Sequence, residues 1–376
     1  MRKVKIVTDS TCDLPFDMLA QRDITLVPLH IILGEQSYLD DGTLDSRELF
    51  RFADSTGVLP KSAAVNAFEF ETIFRRLLDE DYDILFMGIS SRLSSTMQNA
   101  VTAANTIGAG ERISIVDSLS LSTGVGLQVL EASDMALAGA SLAEITRHAE
   151  SIRGKVQASF VVDTLKYLYM GGRCSKLASI VGSRLKIKPK LELIDGYIVP
   201  TQKFRGSRFV DKYCEQVMER AAEVNPKRVF VTHCLSDEAE NVKDRPEKDF
   251  GFENVMITNA SPTISTHCGP GTIGVFEERF GRDAKVFDPA RVVIIPDHYI
   301  FTADDKSHRN VDILRDFARR QGIKHFYDPD FIKSGVGGMP PIYADYNQTS
   351  YRGVCHCALP QNGHVRPGEL LLGTDS

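Results

Sequence analysis

No apolar run in this chain approaches the roughly 20 residues that a membrane-spanning helix needs. The basic excess of a nucleic-acid surface is also missing, since the net charge is −6. The opening MRKVKIVTDS enters an apolar run too short for a signal-peptide core, and no cleavage pattern follows it. The sequence therefore predicts a cytoplasmic protein. No CxxC occurs. The seven cysteines, Cys12, Cys174, Cys214, Cys234, Cys268, Cys355 and Cys357, are scattered. Without a secretion signal they read as free thiols. Cys355-His356-Cys357 is the one cluster. A zinc or iron–sulfur site needs more ligands than that, and nothing nearby supplies them. No metal or other cofactor is expected, and no internal repeat is found.

What is present is a soluble, globular composition, with 43% apolar and 25% charged residues over 376 positions. That length buries a sizeable core in about two to three domains. KVKIVT (3–8) reads as a strand ending in Asp9-Ser10-Thr11, followed by a helical pattern. ITLVPLHIIL (24–33), YDILFMGIS (82–90) and RISIVDS (112–118) read as further strands, and helical spacing lies between them. Alternating strands and helices predict a parallel α/β sheet. A long amphipathic helix is expected near 126–140 and another to about 155. Beyond it the pattern changes, and LELIDGYIVPTQKF reads as a hairpin turning on Asp195-Gly196. RVFVTHC (228–234) and VMITNAS (255–261) are later strands.

The richest segment is 163–206, DTLKYLYMGGRCSKLASIVGSRLKIKPKLELIDGYIVPTQKFRG. It sets Arg173 and Arg205 beside glycines and holds fixed positive charge on pliable backbone. That suits an anion better than an apolar partner. Together with IVTDSTCDLP (6–15), ISSRLSSTMQNA (89–100), IVDSLSLSTGVG (115–126) and HCGPGTIG (267–274), this segment resembles the DegV family of fatty-acid-binding proteins, with the motifs in that family's order. The resemblance runs from residue 1 to about 279. It implies a two-domain α/β fold, with a parallel sheet in domain 1 (1–154 and 262–279) and a mixed α/β domain 2 (155–261). It also implies a long-chain fatty acid held in a buried tunnel. Ser62 and Ser94 would donate hydrogen bonds to its carboxylate, and Arg173, Arg205 and His267 would lie at the head group or at a phosphate placed there by a separate fatty-acid kinase.

Two departures from the family pattern bear on this. Lys61-Ser62-Ala63-Ala64-Val65-Asn66 keeps the hydroxyl but not the polar residues after it, and Leu93-Ser94-Ser95-Thr96 has serine where glycine is usual. The residues also admit a plainer reading. Ser95-x-x-Gln98 has the form of a capping box, so Ser94 or Ser95 caps a helix, and Ser62 caps one near Phe68. On that reading Arg173 makes a surface ion pair, and His267 is a satisfied histidine beside a Gly-rich turn. Asp9-Ser10-Thr11 and Asp117-Ser118 have no accompanying histidine and read as strand-end and capping residues rather than a nucleophile site.

After about residue 279 the character changes. The pieces PDHYIFTADDK, GVCH and HVRPGELLLGTDS resemble the N-terminal portion of the aconitase superfamily, in particular the isopropylmalate dehydratase large subunit. By that resemblance Asp297, His298, His356, Asp375 and Ser376 match acid–base and substrate-contact positions. Cys355 and Cys357 do not match cluster ligands, and the family's first ligand lies just past Ser376. The resemblance implies a truncated, partial α/β appendage (280–376) that holds no iron–sulfur cluster and is catalytically inactive. The expected function is thus a non-catalytic fatty-acid carrier serving a kinase. The alternatives are a partial or degenerate aconitase-type hydro-lyase, or an interaction protein whose tail docks a partner.

Overall fold

The computed structural model describes residues 2–173, 187–206, 208–219, 223–250, 254–279, 286, 288–296, 305–327, 345–346 and 349–350. Two compact units result, one ending at Gly281 and one beginning at Arg282. The tail positions Asp297, His298, His356, Asp375 and Ser376 lie outside the described residues, as do Cys174, Cys355 and Cys357.

The first unit is α/β. Its strands are β1 (Val4–Asp9), β2 (Thr25–Val27), β3 (His30–Leu33), β4 (Gln36–Leu39), β5 (Lys61–Ala63), β6 (Asp83–Gly88), β7 (Ile113–Asp117), β8 (Val156–Val161), β9 (Ile187–Ile194), β10 (Tyr197–Arg205), β11 (Val224–Cys234), β12 (Val255–Asn259) and β13 (Thr272–Arg279). Its helices are α1 (Phe16–Gln21), α2 (Ser46–Thr56), α3 (Ala67–Asp79), α4 (Thr96–Ile107), α5 (Thr123–Leu137), α6 (Leu142–Ile152), α7 (Lys166–Gly171), α8 (Phe209–Met218), α9 (Ala239–Phe250) and α10 (Pro262–Cys268).

The first sheet, in order β2-β1-β6-β7, is wholly parallel. Both its faces are covered, which is why Ile84, Leu85, Phe86 and Met87 run on as four buried apolar residues without alternation. The second sheet, β10-β9-β8-β13-β11-β12, is antiparallel except for the β11–β12 pair. Helix α5 packs against β1 and β6 of the first sheet and against β8, β11 and β13 of the second. It is therefore buried nearly all round rather than amphipathic as its sequence is read above. Even Gln128 is buried there, its Nε2 donating to Ser118 O and Gly124 O at 3.1 Å each.

Two expectations are corrected. ITLVPLHIIL is two strands in two sheets: β2 pairs with β1, while β3 pairs antiparallel with β4 and β5 in a small third sheet. Pro28 separates them, and a residue without an N–H cannot continue a ladder. Residues 262–279 do not return together to the first domain. Helix α10 packs on α2, β3 and β5, but β13 sits inside the second sheet between β8 and β11. The hairpin on Asp195-Gly196 is present, with both residues at positive φ (50° and 81°), as a two-residue turn of that hand requires.

The second unit is a small α/β fragment. Val293–Ile294 pairs in parallel with His325–Phe326, and helix α11 (Asp305–Gln321) joins them. Ala318, Ile323 and Phe326 form its core with Val292, Leu314 and Phe317.

Candidate functional site

β1, β6 and β7 end at their C-terminal edge in tight loops tied together by side-chain hydrogen bonds. Asp9 accepts from Thr11 N at 3.0 Å and from Ile89 N at 2.9 Å, tying the ends of β1 and β6 together. Asp117 accepts from Leu119 N at 3.0 Å and Ser91 N at 3.2 Å. These aspartates are structural, and they fix the Ser90–Ser95 loop at the carboxyl edge of the parallel sheet, where ligands of such sheets bind.

Against that edge lies a cavity of about 950 Å³. Its apolar walls include Leu29, Ile89, Leu93, Met97, Leu121, Ile198 and Ile264, and its polar margin includes Ser62, Ser94, Arg173 and His267. Four of the five expected site residues thus come together. Arg205, exposed at the end of β10, is not among the described lining residues, so its expected place at the head group is not supported. The hairpin turn Asp195-Gly196, not the far end of β10, meets the loop: Ser90 Oγ donates to Gly196 O at 2.9 Å.

Ser62 comes from β5 and His267 from the last turn of α10, and Ser62 Oγ lies 2.7 Å from His267 Nε2. Burial, with a smaller contribution from the Arg173 charge, pushes His267 down to about 4, so the imidazole is neutral at physiological pH. Its Nδ1 is buried without a partner among the described residues. In the tautomer with the proton on Nε2, His267 donates to Ser62, and the Ser62 hydroxyl proton remains for an incoming anion. Ser94 Oγ accepts from Thr96 N at 3.2 Å and lies 2.9 Å from Thr96 Oγ1. With Thr96 as the donor in that pair, Ser94 too keeps a proton for a ligand. Arg173 Nη1 donates to Gly171 O at 2.6 Å, and no carboxylate among the described residues pairs with it.

The capping alternatives resolve residue by residue. Ser62 does not cap α3; Asn66 does, in a capping box with Glu69. Ser95 makes no side-chain cap bond, and the 95–98 box does not form. Ser94 supplies a turn bond to Thr96 N while facing the cavity. Arg92 escaped the sequence reading although it lies inside the quoted SSRLSS motif. It lines the cavity, and its guanidinium lies 5.4 Å from the Tyr197 ring centroid, where the cation and the ring face clamp the hairpin to the loop. Thr263, another lining residue, carried no signal in the sequence. Among the described residues no group of three or more His, Cys, Asp or Glu is placed to hold a metal ion, and no helix is long and apolar enough to cross a membrane.

Comparison with known proteins agrees with this geometry. A family model described as "Uncharacterised protein, DegV family" matches residues 3–279. A DegV domain-containing protein of Halalkalibacterium halodurans is 31% identical over 278 residues, covering 73% of this chain and 98% of that one. A solved structure of a fatty-acid-binding DegV family protein from Thermus thermophilus superposes with a TM-score of 0.67 at 28% identity, over 74% of this chain and all of that one. A second similarity is to the chloroplastic 3-isopropylmalate dehydratase large subunit of Arabidopsis thaliana, 52% identical over 115 residues. It covers 30% of this chain and only 21% of that relative. On the match over residues 3–279, this chain belongs to the DegV family, here fused to a portion similar to the dehydratase large subunit.

Proposed function

We propose that the first unit binds one long-chain fatty acid in the 950 Å³ cavity, with its carboxylate at Ser62 and Ser94 and Arg173 at the margin. The observation that carries this reading is the Ser62–His267 pair, 2.7 Å apart, at the polar margin of a cavity with apolar walls. A carboxylate does not enter such a place without donors. The neutral Ser62 and Ser94 hydroxyls supply them, with a neutral imidazole behind Ser62, so neither group leaves a buried charge when the site is empty. Each acyl methylene removed from water contributes ~0.8 kcal/mol, which offsets the cost of ordering the chain.

The finer reading is that the bound carboxylate is presented to a separate fatty-acid kinase, which phosphorylates it to an acyl phosphate. Arg173, with no carboxylate partner among the described residues, is suited to the added charge. The C-terminal portion contributes no hydro-lyase activity in this reading, since it matches only 21% of the dehydratase subunit's length.

Native mass spectrometry of protein purified without detergent, with organic extraction, tests the first claim. An adduct releasing a fatty acid is expected; an empty mass that takes up no added fatty acid defeats it. Acyl-phosphate formation from loaded protein, ATP and the kinase tests the second. Dehydration of isopropylmalate by purified protein supplied with iron would overturn the third.

A further inference from the structure

Helix α10 carries His267 in its last turn, and at seven residues it is too short to be stable by itself. Its first turn is fixed from distant parts of the chain. Asp13, after β1, accepts from Ser261 N at 2.9 Å, and Asp40, after β4, accepts from Thr263 N at 3.2 Å. Pro262 has no N–H, and Ile264 N donates to Ser261 Oγ at 3.3 Å. The open N–H groups of that turn are thus taken up by side chains. Both carboxylates are buried, and no basic side chain among the described residues pairs with either. A carboxylate in such a place is costly unless N–H groups take up its oxygens, so its position and that of the helix are tied together. Elsewhere α10 is held through neutral hydroxyls: Ser46 Oγ donates to Ser265 Oγ at 2.9 Å, and Thr272 Oγ1 to Cys268 O at 2.9 Å.

We propose that Asp40 is a positioning residue for the acyl site: it fixes the first turn of α10 and, through that helix, sets His267 against Ser62. Asp13 holds the residue just before the helix, whereas Asp40 holds an N–H inside it. Thr263, which supplies that N–H, stands four residues before His267, so the two lie on one face with Cβ atoms about 5–6 Å apart. Asp40 is pinned in turn by its own backbone, its N–H donating to Leu29 O at 2.8 Å, and Leu29 is part of the cavity wall. The imidazole has no second tether among the described residues: Nδ1 is buried without a partner, while Nε2 meets Ser62 Oγ at 2.7 Å. Where α10 lies therefore decides where Nε2 lies. Without Asp40 the Thr263 N–H is left buried and open, the first turn shifts toward another acceptor, and the ring at the far end moves off the serine. This inference rests on the cavity being an acyl site.

The test uses the full chain, with hexadecanoic acid and hexadecanol as ligands in calorimetric titrations. Asp40→Ala should weaken binding of the acid by about tenfold and leave the alcohol within about twofold, because only the charged head group draws on the Ser62–His267 pair. Asp40→Asn, whose amide oxygen still accepts from Thr263 N, should restore most of the acid affinity. In a Ser62→Ala chain, Asp40→Ala should cost the acid less than about twofold more, since the pair it positions is already gone. The His267 imidazole nitrogen resonances, assigned with a His267→Gln chain, should move in Asp40→Ala and stay in place in Asp40→Asn. Should Asp40→Ala fail to fold, Asp40→Glu keeps the charge but shifts its oxygens by one methylene, and the same split between acid and alcohol is expected. Two results overturn the inference while leaving the acyl site standing: equal losses for acid and alcohol, or a full tenfold loss that adds to Ser62→Ala. A parent chain that binds neither ligand overturns both.

Discussion

Gly171 and His267 approach so closely that a methyl group on Gly171 would stand 2.7 Å from the imidazole Nδ1. Each residue closes a helix, α7 and α10, and the two helices pack together. The glycine is thus the floor on which the imidazole rests while its other nitrogen meets Ser62. Gly171→Ala must displace the ring, because the contact is made by the Cβ itself and not by a flexible side-chain end. Overpacking of this kind costs ~1–3 kcal/mol. Fatty-acid affinity should fall by about tenfold or more in a displacement titration. An alanine chain that binds as well as the parent would show that the Ser62–His267 contact does not matter to the ligand.

Ser62→Ala removes one donor from the carboxylate end. A hydrogen bond to a charged group is worth ~1.5–3 kcal/mol, so affinity for a fatty acid should drop by about one to two orders of magnitude. The same substitution should change affinity for the matching fatty alcohol far less, because an alcohol places no charge beside Ser62. Calorimetric titration of both ligands into both proteins gives the coupling directly. Equal losses for acid and alcohol would mean that the head group lies elsewhere.

Arg173 lines the cavity and Arg205 is exposed at the end of β10, away from the described lining. Arg173→Gln should weaken fatty-acid binding by several-fold and reduce its dependence on salt, since a screened charge near the carboxylate is lost. Arg205→Gln should leave both unchanged. Affinity measured at low and high salt for the two variants checks this. A salt-sensitive loss in Arg205→Gln would restore the symmetric role that the sequence implies for the two arginines.

The motifs themselves were legible because each is short and local. The Asp-Gly turn needs positive φ at two adjacent residues, and strand ends need small polar residues to satisfy open backbone groups. What the sequence hid depends on contacts far apart in the chain. Helix α5 carries ordinary helical spacing, and only the two sheets that close on it make its polar face a buried one. β13 follows α10 without a break in character, yet its ladder partners β8 and β11 decide which sheet it joins. Ser62 and His267 are separated by 205 positions, so their contact follows from the docking of α10 on β5 and from no pattern in either segment.

Stability should depend on pH through Asp13. Burial pushes its carboxyl up to about 7, even though Ser122 Oγ donates to it at 2.5 Å and Ser261 N at 2.9 Å. A group whose folded pKa is raised holds its proton more tightly in the native state than in the unfolded chain. Its contribution is therefore fully present below the ordinary carboxylate range of ~3.9 and is lost as pH rises through about 7. His267 acts in the opposite sense. Pushed down to about 4, it contributes stability above its ordinary value of ~6.5 that is lost as pH falls through about 4. Asp13→Asn isolates the first effect. Its amide oxygen still accepts from Ser261 N, and its amide nitrogen donates to Ser122 Oγ in place of accepting. Denaturant unfolding at pH 5 and pH 8 should show the parent losing stability relative to Asp13→Asn as pH rises, by up to ~2.5 kcal/mol. Parallel profiles would mean that the Asp13 carboxylate is ionised throughout this range and that its two donors outweigh its burial.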